Sequence, residues 1–387
     1  MEFAVSNANH VSAGLKLRNG IRGDRRMLAS LGAALMLLFV GGAALAFPVP
    51  PFLPAQGSTV PSNGDLVPYG LAVVPNFFPG HTLKPGELLV SNFNNSVADG
   101  NLPGQGSTIV IINPANGRQV GLFFEGTPPI GFTNALSIVE GFVFAGSLPT
   151  NSSGTNPTSG GLLVLDANGK LVNTITTGID GAWGLAVNDE GGGIAQLFVS
   201  NVLNGTVVRL TVSFHDDTVS VVGSPTTIGS GYAFAPDASA LVIGPAGLAY
   251  DSATDGLYVA AEGDNEIFLI KNASTTAGAG KGTLVFNNTH LEGPLGLIIA
   301  PNGHLITANA DPTAFQNAAT PSELVEFTKS GKFVREFSID PTLGAAFAIL
   351  NVPIDDVDNQ FAWVDDVTSS ITIVQFPEPF PVPPFPQ

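Results

Sequence analysis

No cysteine occurs among the 387 residues, which excludes disulfides and thiolate-bound metal outright. Charge is also scarce. Asp, Glu, Lys and Arg together make up 12% of the chain, and 14 basic residues face 31 acidic ones for a formal net charge of −17. So few cations leave no basic stripe to meet phosphates, and nucleic acid and anionic lipid drop out as partners. Two catalytic signatures are missing as well: there is no Gly-x-Ser-x-Gly elbow, and no phosphate-binding glycine loop leads from a strand into a helix. Helical periodicity is scarce beyond the N-terminus. What remains to stabilise the chain is apolar burial and sheet hydrogen bonding.

The chain does contain turns and short apolar strands in abundance. Its 46 glycines and 30 prolines separate runs dominated by Val, Ile, Phe and Thr. Six times, a glycine-led apolar strand is followed about ten residues later by a second apolar strand ending in a small or amide residue. Gly247 opens GLAYDSATDGLYVAAEGDNEIFLI, Gly184 opens GLAVNDEGGGIAQLFVSN, Gly296 opens GLIIAPNGHLITAN and Gly70 opens GLAVVPNFFPGHTLKPGELLVSN. A worn copy starts at Asn134 (NALSIVEGFVFAG), and the sixth, from Asn351, aligns with the Gly247 copy without a gap. The first-strand positions are then Leu71, Leu136, Leu185, Leu248, Leu297 and Val352, spaced 49 to 65 residues apart.

A repeat near 40 to 50 residues holding several short strands indicates propeller blades rather than a helical solenoid. Five copies carry a fourth apolar run, from Gly117, Gly169, Thr218, Gly282 and Gly331, and the sixth ends without one. The fold expected is all-β: a six-bladed β-propeller of four-stranded antiparallel blades after an N-terminal signal helix, closed by a strand borrowed from the segment beginning at Gly57.

Flanking segments set the expected domain limits. Arg22, Arg25 and Arg26 precede an uncharged apolar run, and Ala44-Leu45-Ala46 offers small residues for cleavage. Residues 1–46 therefore read as an export signal, whose removal moves the formal charge from −17 to −20 and leaves no membrane insertion. Localisation is expected to be secreted or in the periplasm or cell envelope. Residues 47–56 form a Pro-rich linker, 57–376 the propeller and 377–387 a Pro-rich tail, the two ends sharing the string FPVPPF.

The Pro-x-Gly-Leu-Ala openings, VPYGLAV and GPAGLAY, followed by LYVA or LFVSN strands, resemble the NHL-type β-propeller and the related gluconolactonase and strictosidine-synthase-like propellers. The likeness covers about residues 57 to 376. It implies a divalent metal at the channel mouth, held by a glutamate near the first blade and by Asn or Asp just before the glycines that open later inner strands. Those positions here hold Tyr69, Thr133, Trp183, Ala246, Leu295 and Leu350, none a carboxylate or amide. Lyase-type propellers use a histidine base, whereas His81, His215, His290 and His304 occupy turns or loops at unrelated repeat positions. No catalytic residue and no cofactor is expected on this basis.

The second strands end at Asn92, Gly146, Asn201, Ala261, Asn309 and Asp365, a largely polar layer. The loops that follow are long in blades one, two and five and short elsewhere, so blades three and four are expected to be bare at that end. These long loops are nearly uncharged and rich in amides and hydroxyls. Loops of such length are often functional. The expectation is a non-catalytic binding propeller whose loop-bearing face takes a small molecule, glycan or protein partner, best a neutral glycan or peptide, through Tyr69, Thr133, Trp183, Asn92, Asn201 and Asn309. The alternative is a metal-dependent lactonase-like hydrolase or lyase with a displaced divalent cation site using Asn201, Asn309 and Asp365. A second acidic cluster, Asp355, Asp356 and Asp358, lacks the glycine and distal glutamate of a calcium loop.

Overall fold

The computed structural model describes residues 55–310, 322–340, 345–352 and 360–375. The signal segment, the Pro-rich tail, the blade-five loop and the Asp355 cluster lie outside them. Strand β1 (Ala55–Ser58) comes first. Blade 1 follows with β2 (Leu66–Val73), β3 (Leu88–Asn94), β4 (Thr108–Ile112) and β5 (Gln119–Glu125), and blade 2 with β6 (Phe132–Val139), β7 (Phe142–Ser147), β8 (Leu162–Leu165) and β9 (Leu171–Ile175). Blade 3 holds β10 (Ala182–Gly191), β11 (Ile194–Asn201), β12 (Thr206–His215) and β13 (Thr218–Ser230). A two-stranded hairpin, β14 (Ala235–Asp237) and β15 (Leu241–Ile243), separates it from blade 4, which holds β16 (Pro245–Asp251), β17 (Gly256–Ala261), β18 (Glu266–Lys271) and β19 (Thr283–Phe286). Blade 5 is β20 (Pro294–Ile299), β21 (Leu305–Asn309), β22 (Ser322–Phe327) and β23 (Phe333–Asp340). Blade 6 has β24 (Ala346–Asn351), β25 (Gln360–Asp365) and β26 (Ser370–Gln375), and β1 is its fourth strand, pairing Ala55 with Ile373 and Ser58 with Ser370.

The chain is a six-bladed β-propeller. Borrowing β1 closes the ring between the two ends of the propeller and covers the outer edge of β26. Among the described residues no helix is long and apolar enough to cross a membrane.

The repeated glycine has a steric cause. Inner strands of neighbouring blades converge on the axis, and a Cβ on Gly184 would lie 2.1 Å from the Ala246 carbonyl oxygen, one on Gly247 2.1 Å from that of Leu295. Only glycine lets the backbones come so close. The worn second copy solves the same problem differently. Its inner strand carries Ala135, and the small residue has moved to Gly146 on the second strand, where a Cβ would lie 2.6 Å from that of Ala135.

Two alignments change once register is known. In blade 4, Leu248 pairs with Val259 and Pro245 with Ala261; in blade 6, Ile349 pairs with Trp363 and Ala346 with Asp365. The equivalent of Leu248 is therefore Ile349, not Val352, and the position assigned to Leu350 belongs to Phe347. The ungapped match holds for the second strand and slips by three residues in the first, because the connection between β24 and β25 is longer. In blade 2, Phe132 pairs with Ser147 and Leu136 with Ala145, so the strand-end residue is Ser147 rather than Gly146. A one-residue slip exchanges the faces of a strand, so the correction reassigns which side chain points where.

Candidate functional site

The residues ahead of the inner-strand glycines close the channel. Tyr69, Trp183, Ala246, Leu295 and Phe347 share one buried cluster with Phe93. Ring centroids lie 4.3 Å apart for Tyr69 and Phe347, 4.8 Å for Tyr69 and Phe93, and 5.5 Å for Tyr69 and Trp183, the last pair edge to face. Trp183 is 1% exposed and its indole Nε1 has no hydrogen-bond acceptor. Dispersion and ring geometry hold this plug together. The donor set that a channel metal would require is absent from it: aromatic and aliphatic side chains fill five of the six positions where the family resemblance implies oxygen ligands, and in blade 2 the residue directly ahead of Ala135 is Asn134 rather than Thr133, a single amide. The residues do not fit that metal, and no chemistry is derived through one.

Thr133 is fully buried beside the plug and donates its hydroxyl to the Ala182 carbonyl 2.6 Å away, tying blade 2 to blade 3. Its lateral neighbours do similar work. Ser200 accepts from the Gly184 amide at 2.8 Å and donates to the Ala246 carbonyl at 2.6 Å, fastening blade 3 to blade 4.

The strand-end layer points away from the axis, into the crossovers that bring the chain from one blade to the next. Asn201 donates from Nδ2 to the Gly178 carbonyl (3.0 Å) and accepts from the Asp180 amide at Oδ1 (2.9 Å). Asn309 repeats the arrangement with the His290 carbonyl (2.8 Å) and the Glu292 amide (3.0 Å). Asn92 donates to the Thr59 carbonyl, and Ser147 to that of Ile130. All four groups are buried. Each satisfies crossover backbone that would otherwise be buried without a partner. Asp365 caps the turn after β25 by accepting from the Thr368 amide at 2.9 Å. Among the described residues no three His, Cys, Asp or Glu side chains gather as a metal site.

Above the plug lies a cavity of about 370 Å³. Tyr69, Phe93 and Phe347 are its floor. Asn94, Asn101 and Pro103 line it from the blade-1 side, Ser239, Ala240 and Leu241 from the hairpin, and Asp366 and Val367 from the β25–β26 turn of blade 6. Of the residues anticipated from sequence, only Tyr69 lines this space. The structure gathers Tyr69, Thr133 and Trp183 near the axis and sends Asn92, Asn201 and Asn309 elsewhere.

The amides and hydroxyls that enrich the long loops hold those loops in place. In the blade-1 loop, Asn95 Oδ1 accepts from the Leu102 amide (2.6 Å), and Asn94 Nδ2 donates to the carbonyl of Asn101 (3.2 Å) and to its Oδ1 (3.0 Å). The blade-2 loop does not line the cavity. It buttresses its neighbour instead: Gln105 Nε2 donates to the Thr150 and Asn151 carbonyls, and Thr150 Oγ1 donates to that of Pro103.

The expectation that blades 3 and 4 are bare is overturned by the β14–β15 hairpin, which rises from the crossover between them. Its tip is fastened by Asp237, whose Oδ1 accepts from the Ser239 hydroxyl (2.6 Å), the Ser239 amide (2.7 Å) and the Ala240 amide (2.9 Å). The Ser239 hydroxyl foremost, with both amides, holds the Asp237 carboxyl below its ordinary range. Leu241 takes a left-handed φ of 66°, uncommon for a side chain of its size, and Val242 is anchored in the central cluster. Comparing one loop class between repeats could not reveal this element. Its signal was the 14-residue stretch between β13 and β16, apolar yet without a repeat counterpart.

No family model matches the chain, and no curated protein does. Solved structures share its architecture. Virginiamycin B lyase from Staphylococcus aureus is 13% identical, with 83% of this chain and 99% of that one covered, at a TM-score of 0.46. Regucalcin, a calcium-binding protein from Agrobacterium tumefaciens, is 11% identical over 82% and 92% of the two chains at 0.47, and a gluconolactonase from Xanthomonas campestris is 11% identical over 81% and 87% at 0.48. The likeness is one of fold.

Proposed function

We propose that the protein is an exported, non-catalytic propeller that binds a small polar ligand, a glycan or a short peptide, in the cavity at its loop-bearing mouth. The supporting observation is the cavity itself. Its volume of about 370 Å³ falls within the roughly 300–1,000 Å³ of small-ligand sites. Three unrelated insertions or turns wall it, and each is fastened by buried or capped polar groups rather than left loose. Preorganised walls reduce the ordering cost of binding. The export signal in residues 1–46 supports placement outside the cytoplasm, in the medium, periplasm or cell envelope.

The test is a glycan and peptide array probed with the purified protein and with Ala240→Trp, which fills the cavity from its rim. The reading expects array signals that the substitution abolishes while the melting temperature stays unchanged. Binding that ignores Ala240→Trp, or no binding at all, would overturn it.

A further inference from the structure

The cavity straddles the seam where the two ends of the propeller meet. Val67, Asn94, Asn101 and Pro103 line it from blade 1, and Val367 lines it from the β25–β26 turn of blade 6. Blade 6 is completed by β1, whose register with β26 spans only four residue pairs, from Ala55 with Ile373 to Ser58 with Ser370. So short a pairing closes the ring without a covalent link, and the contacts just beyond it decide how firmly.

Those contacts run without a break from the seam to the mouth. Thr59, the residue after β1, is fully buried, and its amide (3.0 Å) and hydroxyl (2.9 Å) both donate to the Ser369 carbonyl of the β25–β26 turn. Ser369 Oγ accepts in turn from the Val67 amide at 3.2 Å. Between the two, the buried Asp65 takes three bonds at Oδ2, from the Ser107 amide (2.8 Å), the Ser107 hydroxyl (3.2 Å) and the Thr108 hydroxyl (2.8 Å), which pins the end of the blade-1 loop. Segment 59–67 therefore carries both the bolt of the ring and part of the cavity wall.

Two residues of this path are held under strain. Val67 takes a φ of 60° and Ser369 one of 47°, and Val67 is the one β-branched residue in the left-handed region among the described residues. The following Pro68 biases Val67 toward extended backbone instead. Such conformations persist only while the surrounding structure over-determines them.

We propose that β1 is a strap, and that the seam and the cavity mouth open as one unit: release of Thr59 from Ser369 lets both strained residues relax and frees Val67 and, through Asp65, the blade-1 loop in the same event. Entry to the cavity is then governed by the ring-closing strand, whatever the cavity binds. An occupant that touches Val67 and Val367 together holds the ring shut, because it binds only the closed form.

Hydrogen exchange of the purified protein, read amide by amide by NMR, tests this. The amides of β1, Thr59, Val67 and Ser107 should share one opening constant. Thr59→Val removes the hydroxyl bond and keeps the bulk; it should speed exchange at all of them by the same factor, about tenfold, while the β16–β17 amides of blade 4 keep their rates. Thr59→Ser should restore the original pattern. Thr307→Val is the control: it deletes an equally buried hydroxyl, bonded to the Gly296 carbonyl at 2.8 Å in blade 5, and should leave the seam and Val67 unchanged. Acceleration confined to β1 and Thr59, or absent throughout, overturns the coupling. So does a Thr307→Val effect on these amides equal to that of Thr59→Val, since they would then report global unfolding. No ligand enters the measurement, so the strap can fail while the ligand-site reading stands, and Ala240→Trp on the array tests that reading separately.

Discussion

Two layers of the same ring, a few ångströms apart, do opposite work. The strand-end layer of Asn92, Ser147, Asn201 and Asn309 is polar and buried, and its hydrogen bonds are spent on crossover backbone. The axial layer of Tyr69, Trp183 and Phe347 is aromatic, and through Tyr69 and Phe347 it meets the cavity. Polarity in a repeated layer is thus no guide to binding. A buried amide that satisfies two backbone groups is structural, and the residues that meet a ligand are those the register turns toward open space.

The comparison can be broken in order of expected effect. Gly247→Ala drives a Cβ against the Leu295 carbonyl in a backbone contact that cannot give way, and about 3 kcal/mol or more of stability should be lost; chemical denaturation measures it, and a loss below about 1 kcal/mol would deny the close approach that explains the repeated glycine. Asn309→Leu leaves the His290 carbonyl and Glu292 amide without this partner, for a cost of about 2–3 kcal/mol. Ligand affinity should stay within about twofold, since the side chain does not line the cavity. A large affinity loss without a stability loss would return the strand-end layer to the site.

The smallest effect concerns the hairpin. Because Asp237 is held below its ordinary value of 3.8, its ionised form favours the folded hairpin. That contribution is complete above the unfolded pKa and is lost as pH falls through the lower folded one. The amide resonances of Ser239 and Ala240 should therefore titrate with a midpoint below 3.8, and Asp237→Asn should remove the titration. A midpoint at or above that value would mean that the three hydrogen bonds do not hold the tip.

Much of the ring was legible because repetition amplifies weak strand signals. The blade count, the missing sixth fourth strand and its supply from ahead of Gly70 all followed from aligned copies, and β1 pairs with β26 as that reasoning requires. Errors arose where copies differ in length. Blade 2 shortens the β6–β7 connection to Glu140 and Gly141, and blade 6 lengthens the β24–β25 connection, so Gly146 and Leu350 stood one and three residues from the true equivalents. Tyr69 was reachable from sequence as an axial residue. Asn101 and Ser239 were not, because each lies in a segment without counterparts in other repeats, and for Asp366, which aligns with Glu262 of blade 4, the repeat gave the position but not that it borders a cavity.

The sequence by itself determined the repeat and its closure, since these depend on residue types at periodic positions. Tertiary structure alone decided that the amide layer serves the crossovers and that the hairpin between blades 3 and 4 lines the cavity. Side-chain direction depends on register, and a cavity depends on which distant segments meet; neither quantity is local in the chain.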